Sequence, residues 1–159
     1  MDQRELRNCF GHFATGVCVV TWKDDNDNRK GITINSFTSV SLHPPLVLIS
    51  IKKQSKSLNS LKKQKFIVNI LSAEQKEYAL YFARQSQEDL VIDWQKDSDI
   101  GPKLNNAVAT MECTSWAEYE GGDHLLLLGQ VVTFSYNENE CLLFHKGKFL
   151  QTKTETIIK

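Results

Sequence analysis

The sequence has no excess of charge, no long hydrophobic run and no paired cysteines. Nineteen Lys and Arg balance nineteen Asp and Glu, so no net field gathers a polyanion, which argues against nucleic acid or an anionic membrane as a partner. No apolar run approaches the roughly twenty residues that a bilayer crossing needs. The opening MDQRELRNCF is charged where a secretory signal would be apolar, and a cytoplasmic location is expected. Cys9, Cys18, Cys113 and Cys141 are scattered without a CxxC pair and read as reduced, mostly buried thiols rather than disulfides. No HExxH, GxSxG or P-loop pattern occurs, which disfavours metal and serine hydrolases. His12 follows Cys9 by three residues, but that pair falls short of the three or four ligands zinc takes. His43 and His145 have no carboxylate at motif spacing, and no metal site is expected.

What is present suits one domain with a real core, hydrophobic residues making up 41% of the chain. Its organising stretch is 31–51, GITINSFTSVSLHPPLVLISI. Ile32 and Ile34 alternate with Thr33 and Asn35 as in a half-buried strand. Ser36, Thr38, Ser39 and Ser41 then offer more hydroxyls than a turn needs. Pro44 and Pro45 remove two backbone donors and mark a turn or an edge. Residues 46–51 form a continuous apolar run, expected to be a strand buried on both faces. Short polar side chains at strand ends beside β-branched walls can cradle a flat phosphorylated ligand, although such a loop can also serve only its own backbone.

Around this stretch, Leu6, Cys9, Phe10 and Phe13 have helical spacing, predicting an amphipathic helix over 3–14 that stops at Gly16. Strands are expected at 17–22 and 29–40 across the DDNDN turn, and at 66–71. Lysines crowd 52–65. Most are assigned to a solvated helix face, but Lys52 directly follows the buried strand and is the lysine expected to touch a ligand, with a helix N-terminus near Ser57. Residues 73–84 are expected to be helical, and 85–106 a long connection with a short helix, anchored by Trp94 and acting as a lid or subunit contact. Strands at 107–119 and 125–136 are joined by EGGDH, where Gly121 and Gly122 supply positive φ, and a last hairpin turns through Lys146 and Gly147. Many antiparallel strands and few helices predict a mainly β barrel. Its edges and long connection predict a homodimer.

The order and spacing of FGHFATGVCVVT, GITINSFTSVSLHPPLVLISI, FIVNIL, the Phe82 and Ala83 pair, GDHLLLLGQVV and LLFHKGKF resemble the flavin reductase family with the FMN-binding split barrel. The resemblance covers most of the chain. It implies an NAD(P)H-dependent reductase that transfers hydride to FMN or FAD, with NADH or NADPH as donor, and supplies reduced flavin to a monooxygenase. A flavin is then expected at Thr33, Asn35, Ser36, Phe37, Ser39, Val40, Ser50, Ile51, Lys52, Ser57, Phe82 and Ala83. Lys146, Gly147, Lys148 and Phe149 are expected near the pyridine nucleotide. Gly122, Asp123 and His124 match the family's Gly-Asp-His motif, which implies that His124 faces the nicotinamide or flavin ring and serves catalysis. The alternatives are a flavoredoxin-like electron carrier of the same fold and a ligand-binding barrel without enzyme activity.

Overall fold

In the computed structural model residues 1–85 and 89–152 are described, and the fold follows from how the chain places its alternating apolar runs. Helix α1 (Gln3–Phe10) is capped by the Asp2 carboxylate, which accepts from the Arg4 and Glu5 amides. Strands β1 (Thr15–Gly16) and β2 (Cys18–Lys23) follow, and β2 pairs with β3 (Arg29–Ile34). Strands β4 (Thr38–Leu42) and β5 (Pro45–Lys52) make a second hairpin, turned through a cis peptide between His43 and Pro44. Helix α2 (Leu58–Leu61), β6 (Phe66–Ile70) and α3 (Lys76–Phe82) lead to the long pair β7 (Ala109–Gly121) and β8 (His124–Tyr136). The last hairpin is β9 (Leu142–His145) with β10 (Lys148–Gln151). Among the described residues no helix is long and apolar enough to cross a membrane.

The seven-stranded antiparallel sheet runs β3-β2-β6-β7-β8-β5-β4, which puts β3 and β4 at opposite edges. Only residues 35–37 join those two edges. At ~3.5 Å per residue, the step from Ile34 to Thr38 spans at most about 14 Å. Seven strands laid flat at ~4.8 Å spacing would hold their edges about 29 Å apart. The sheet must therefore curl until its edges nearly meet, which makes the split barrel. Ser36 fastens the seam: its Oγ donates to the Ser50 carbonyl oxygen at 3.0 Å and accepts the Ser50 amide at 3.1 Å.

Inside the barrel Val20, Trp22, Ile49, Ile51, Phe66 and Val68 form the main core. A second cluster, including Val19, Leu71, Ala79, Leu104 and Leu142, lies on the other face of β2 and β6. The doubly buried strands are thus β2 and β6, and the expectation that 46–51 is buried on both faces is corrected. In β5 Val47, Ile49 and Ile51 are buried while Leu46, Leu48 and Ser50 alternate with them, half-buried. The reason is the placement of cover. Helix α3 and the segment after it lie over β2 and β3, and among the described residues no helix makes a comparable contact with β5 or β8.

That segment is fastened rather than lid-like. Thr21 Oγ1 donates to the Pro102 carbonyl at 2.6 Å, and the fully buried Asn69 accepts the Leu104 amide at 3.0 Å while donating to the Val19 carbonyl at 2.9 Å. Trp94 does anchor it, bridging to Leu104, but no helix forms among its described residues. Other expectations shift locally. α1 ends at Phe10, short of Phe13, and its apolar face stays open, Phe10 being 67% exposed. Gly16 belongs to β1, and the strand expected over 29–40 breaks at the seam. The β7–β8 hairpin turns on Gly122 and Asp123 alone, with positive φ only at Gly122, because Gly121 pairs with His124. The last hairpin does turn through Lys146 and Gly147, both at positive φ.

The packing inside the barrel is testable at Gly129, where a Cβ would stand 2.5 Å from the Phe66 ring and 2.9 Å from Cys113 Cβ. Overpacking of this kind costs about 1–3 kcal/mol. Gly129→Ala should therefore lower the urea midpoint with an unchanged slope; an unchanged midpoint would mean that the interior has room to spare at this point.

Candidate functional site

Breaking the strand at the seam exposes Asn35, and this residue borders four adjoining depressions. One, of about 310 Å³, is lined by Thr33, Ser36, Ser50, Ile51, Lys52 and His124. A second, of about 380 Å³, shares Thr33 and adds Ala79, Ala83, Phe144, Gly147 and Phe149. A third, of about 530 Å³, lies between α1 and the last hairpin and includes Lys146. The fourth is lined by Phe37 together with Thr15 and Thr38. The residues singled out in 31–52 thus meet His124, some seventy positions away, because β5 pairs with β8 and sets Lys52 directly opposite His124.

Five residues expected at the site line none of these depressions. Ser39 and Val40 lie on β4 beyond the seam, where a bulge leaves Val40 47% exposed. Ser57 sits behind Ser55, whose Oγ accepts the Ser57 amide at 3.3 Å and which takes the lining position itself. Phe82 packs so closely on Gly31 that a Cβ there would stand 2.5 Å from its ring, and the Tyr81 and Trp94 rings stand edge-on to it at 5.1 and 6.1 Å between centroids. Lys148 points the opposite way along β10 from Phe149, which contributes to the second depression. The reading from sequence missed Ala79 and Phe144. Ala79 carried a usable signal, since it stands one helical turn before Ala83 on the same side of α3.

Several hydroxyls near the seam are already engaged. Thr33 Oγ1 donates to the Ala79 carbonyl at 2.7 Å, holding α3 to β3, and the Ser36 proton goes to Ser50. The lining donors without a hydrogen-bond partner among the described residues are the Asn35 amide, the Ser50 hydroxyl and the Lys52 ammonium. This donor set, beside the half-buried Ile32, fits an anionic, polar ligand group. His124 Nδ1 lies 2.7 Å from the Asp123 carboxylate. The hydrogen bond from His124 holds the Asp123 carboxyl below its ordinary range. With Nδ1 donating to that carboxylate, Nε2 is the nitrogen left for a ligand.

A test separates seam from ligand contact. Ser36→Ala leaves the Ser50 amide and carbonyl without this partner, a loss worth about 1–3 kcal/mol. It should lower the melting temperature, whereas Ser39→Ala, at an exposed hydroxyl without a described partner, should hardly move it. Equal melting temperatures would show that Ser36 does not hold the seam.

Comparison with known proteins gives a consistent picture. The family model described as a flavin reductase like domain matches residues 10–153. The NADH-dependent FAD reductase of Streptomyces globisporus is 41% identical over 93% of this chain and 85% of its own length. The reductase component of the flavin-dependent trigonelline monooxygenase of Acinetobacter baylyi is 38% identical over 92% of the chain, but only 48% of its own length is covered. The chain spans about half the length of two of the curated relatives it matches. Among solved structures, the flavin reductase PheA2 in its native state superposes with a TM-score of 0.92 at 38% identity, covering 97% of this chain and 100% of that one.

Proposed function

Since the chain belongs to the flavin reductase like domain family, we propose that it is an NADH-dependent flavin oxidoreductase that reduces FMN or FAD. The observation that carries this reading is the meeting of Asn35, Ser50, Lys52 and His124 around one depression. A bound flavin would supply the hydride acceptor. Lys52 and the unengaged Asn35 and Ser50 donors would hold its anionic and polar atoms. His124, oriented by Asp123, presents Nε2 to orient the nicotinamide carboxamide or to stabilise negative charge on the acceptor. Hydride transfer needs no strong acid or base from the chain, which is consistent with a site built mostly of neutral donors.

The same reading extends to partners. A relative named as a monooxygenase reductase component supports a monooxygenase as consumer of the reduced flavin. Free thiols and a pyridine nucleotide donor suit the cytoplasm. The outer side of the β5–β8 ladder carries Leu46, Leu48, Leu126 and Leu128, with Tyr119 beside Leu126 and 56% exposed. An uncovered apolar ladder of this kind is a surface for a second copy of the chain, and we assign the homodimer contact to it. Ser50, Lys52 and His124 alternate onto this same side, so the depression borders the contact.

Two measurements test these assignments. His124→Ala should retain flavin affinity yet slow NADH-dependent reduction by about one to two decades, as expected for ~1–3 kcal/mol lost in the transition state. A wild-type rate in stopped-flow reduction removes His124 from the chemistry. Light scattering at micromolar concentration should give a dimer mass for the wild type and a monomer mass for Leu128→Glu; a monomeric wild type overturns the pairing.

A further inference from the structure

Asn35 borders all four depressions, and no other residue does. The fold explains its position. Ile34 is the last residue of β3 and is buried in the ladder opposite Cys18. Asn35 comes next, past the end of that ladder, and is exposed. By strand alternation it leaves the chain on the side of Thr33, away from the core that takes Ile34. Residues 36 and 37 then cross to β4, so the depressions around the crossing meet at this residue.

Which side chain can serve two depressions at once depends on which polar groups are unspent. The first and second share Thr33, Ile34 and Asn35. Thr33 Oγ1 has given its proton to the Ala79 carbonyl, and Ile34 has no polar side-chain atom. The second and third share Asn35, Phe144 and Gly147, of which only Asn35 has a polar side chain. Lys52 and His124 line the first depression alone. The Asn35 amide, unengaged among the described residues, is therefore the polar group that faces both the expected flavin position and the side where Gly147 and Phe149 stand.

A primary amide has N–H donors at one end and a carbonyl acceptor at the other. The edge of an oxidised flavin presents carbonyl acceptors, and the nicotinamide carboxamide presents an N–H donor. One asparagine can bond both partners, and hydride transfer gains most from alignment of the two reacting rings. We propose that Asn35 aligns donor with acceptor, its amide nitrogen bonded to a flavin in the first depression and its carbonyl to a nicotinamide entering from the second. The inference rests on the reductase reading and goes beyond the flavin contact expected of Asn35. It carries a thermodynamic consequence. The first ligand to bind orders an exposed side chain that has no partner, and the second meets it already ordered, so each ligand tightens the other.

The experiment uses the whole protein, with FMN as acceptor and NAD⁺ as a nucleotide that cannot donate hydride. FMN is titrated by its fluorescence with and without saturating NAD⁺. In the wild type NAD⁺ should tighten FMN roughly threefold to tenfold, the range of one shared hydrogen bond. In Asn35→Ala NAD⁺ should leave the FMN affinity unchanged, while the melting temperature matches the wild type because no described partner is lost. Asn35→Asp, which turns a second acceptor towards the flavin carbonyls, should bind FMN more weakly than Asn35→Ala. Stopped-flow reduction of pre-bound FMN by saturating NADH should be about tenfold slower in Asn35→Ala. The proposal is overturned if NAD⁺ does not tighten FMN in the wild type, if Asn35→Ala keeps the tightening or the wild-type reduction rate, or if Asn35→Asp binds FMN as well as the wild type. Failure of the reductase reading looks different: the wild type would then oxidise no NADH with FMN or FAD, whatever the titrations give.

Discussion

The rest of the structure depends on a connection too short for a flat sheet. Residues 35–37 must bridge two strands that lie at opposite edges of seven, and the sheet has to curl to allow it. Closure brings the polar connection against the end of β5, where Ser36 takes both backbone groups of Ser50 in place of ladder bonds. The seam and the depressions around Asn35 are then the same place. A break in a strand ladder leaves donors and acceptors that a continuous barrel would have consumed, and these face the depressions around Asn35.

A second constraint is unequal cover. The segment between α3 and β7 is held over β2 and β6 by buried polar bonds from Thr21 and Asn69 and by the buried Glu112, which accepts from Lys103 at 2.9 Å. Burying such groups is tolerable only because each is satisfied, and the satisfied groups fix where the segment lies. Among the described residues nothing comparable covers β5 and β8. The leucines of β5 and β8 alternate onto the outer side of the ladder, and His124, Lys52 and Ser50 share that side.

The distribution of reactivity follows from burial. Burial pushes the Cys18 thiol up to about 12, and burial with the neighbouring Glu112 charge does the same at Cys113. Both stay protonated at neutral pH and serve as small apolar residues. Cys9 is exposed, so the reading of mostly buried thiols describes only part of the set.

Much was legible in the sequence because it was local. Alternation marked the strands, glycine and proline marked the turns, and the polar run in 31–51 marked the place where a strand would break and offer donors. The Gly-Asp-His triplet marked a hairpin rim. What could not be read was the company each residue keeps. Phe82 has a ring suited to a ligand wall, yet it fills the space above Gly31. Thr33 has a free-looking hydroxyl, yet Ala79 takes its proton. The run 46–51 is apolar throughout, yet only alternate residues are buried. Arg7 and His12 come to lie beside the turn of the last hairpin because the Lys146 amide is bonded to the Gly11 carbonyl. Periodicity is a property of neighbours along the chain and survives in any fold. Which face is covered, which hydroxyl is spent and which charges share a cleft depend on contacts between distant strands, and only the closed barrel decides them.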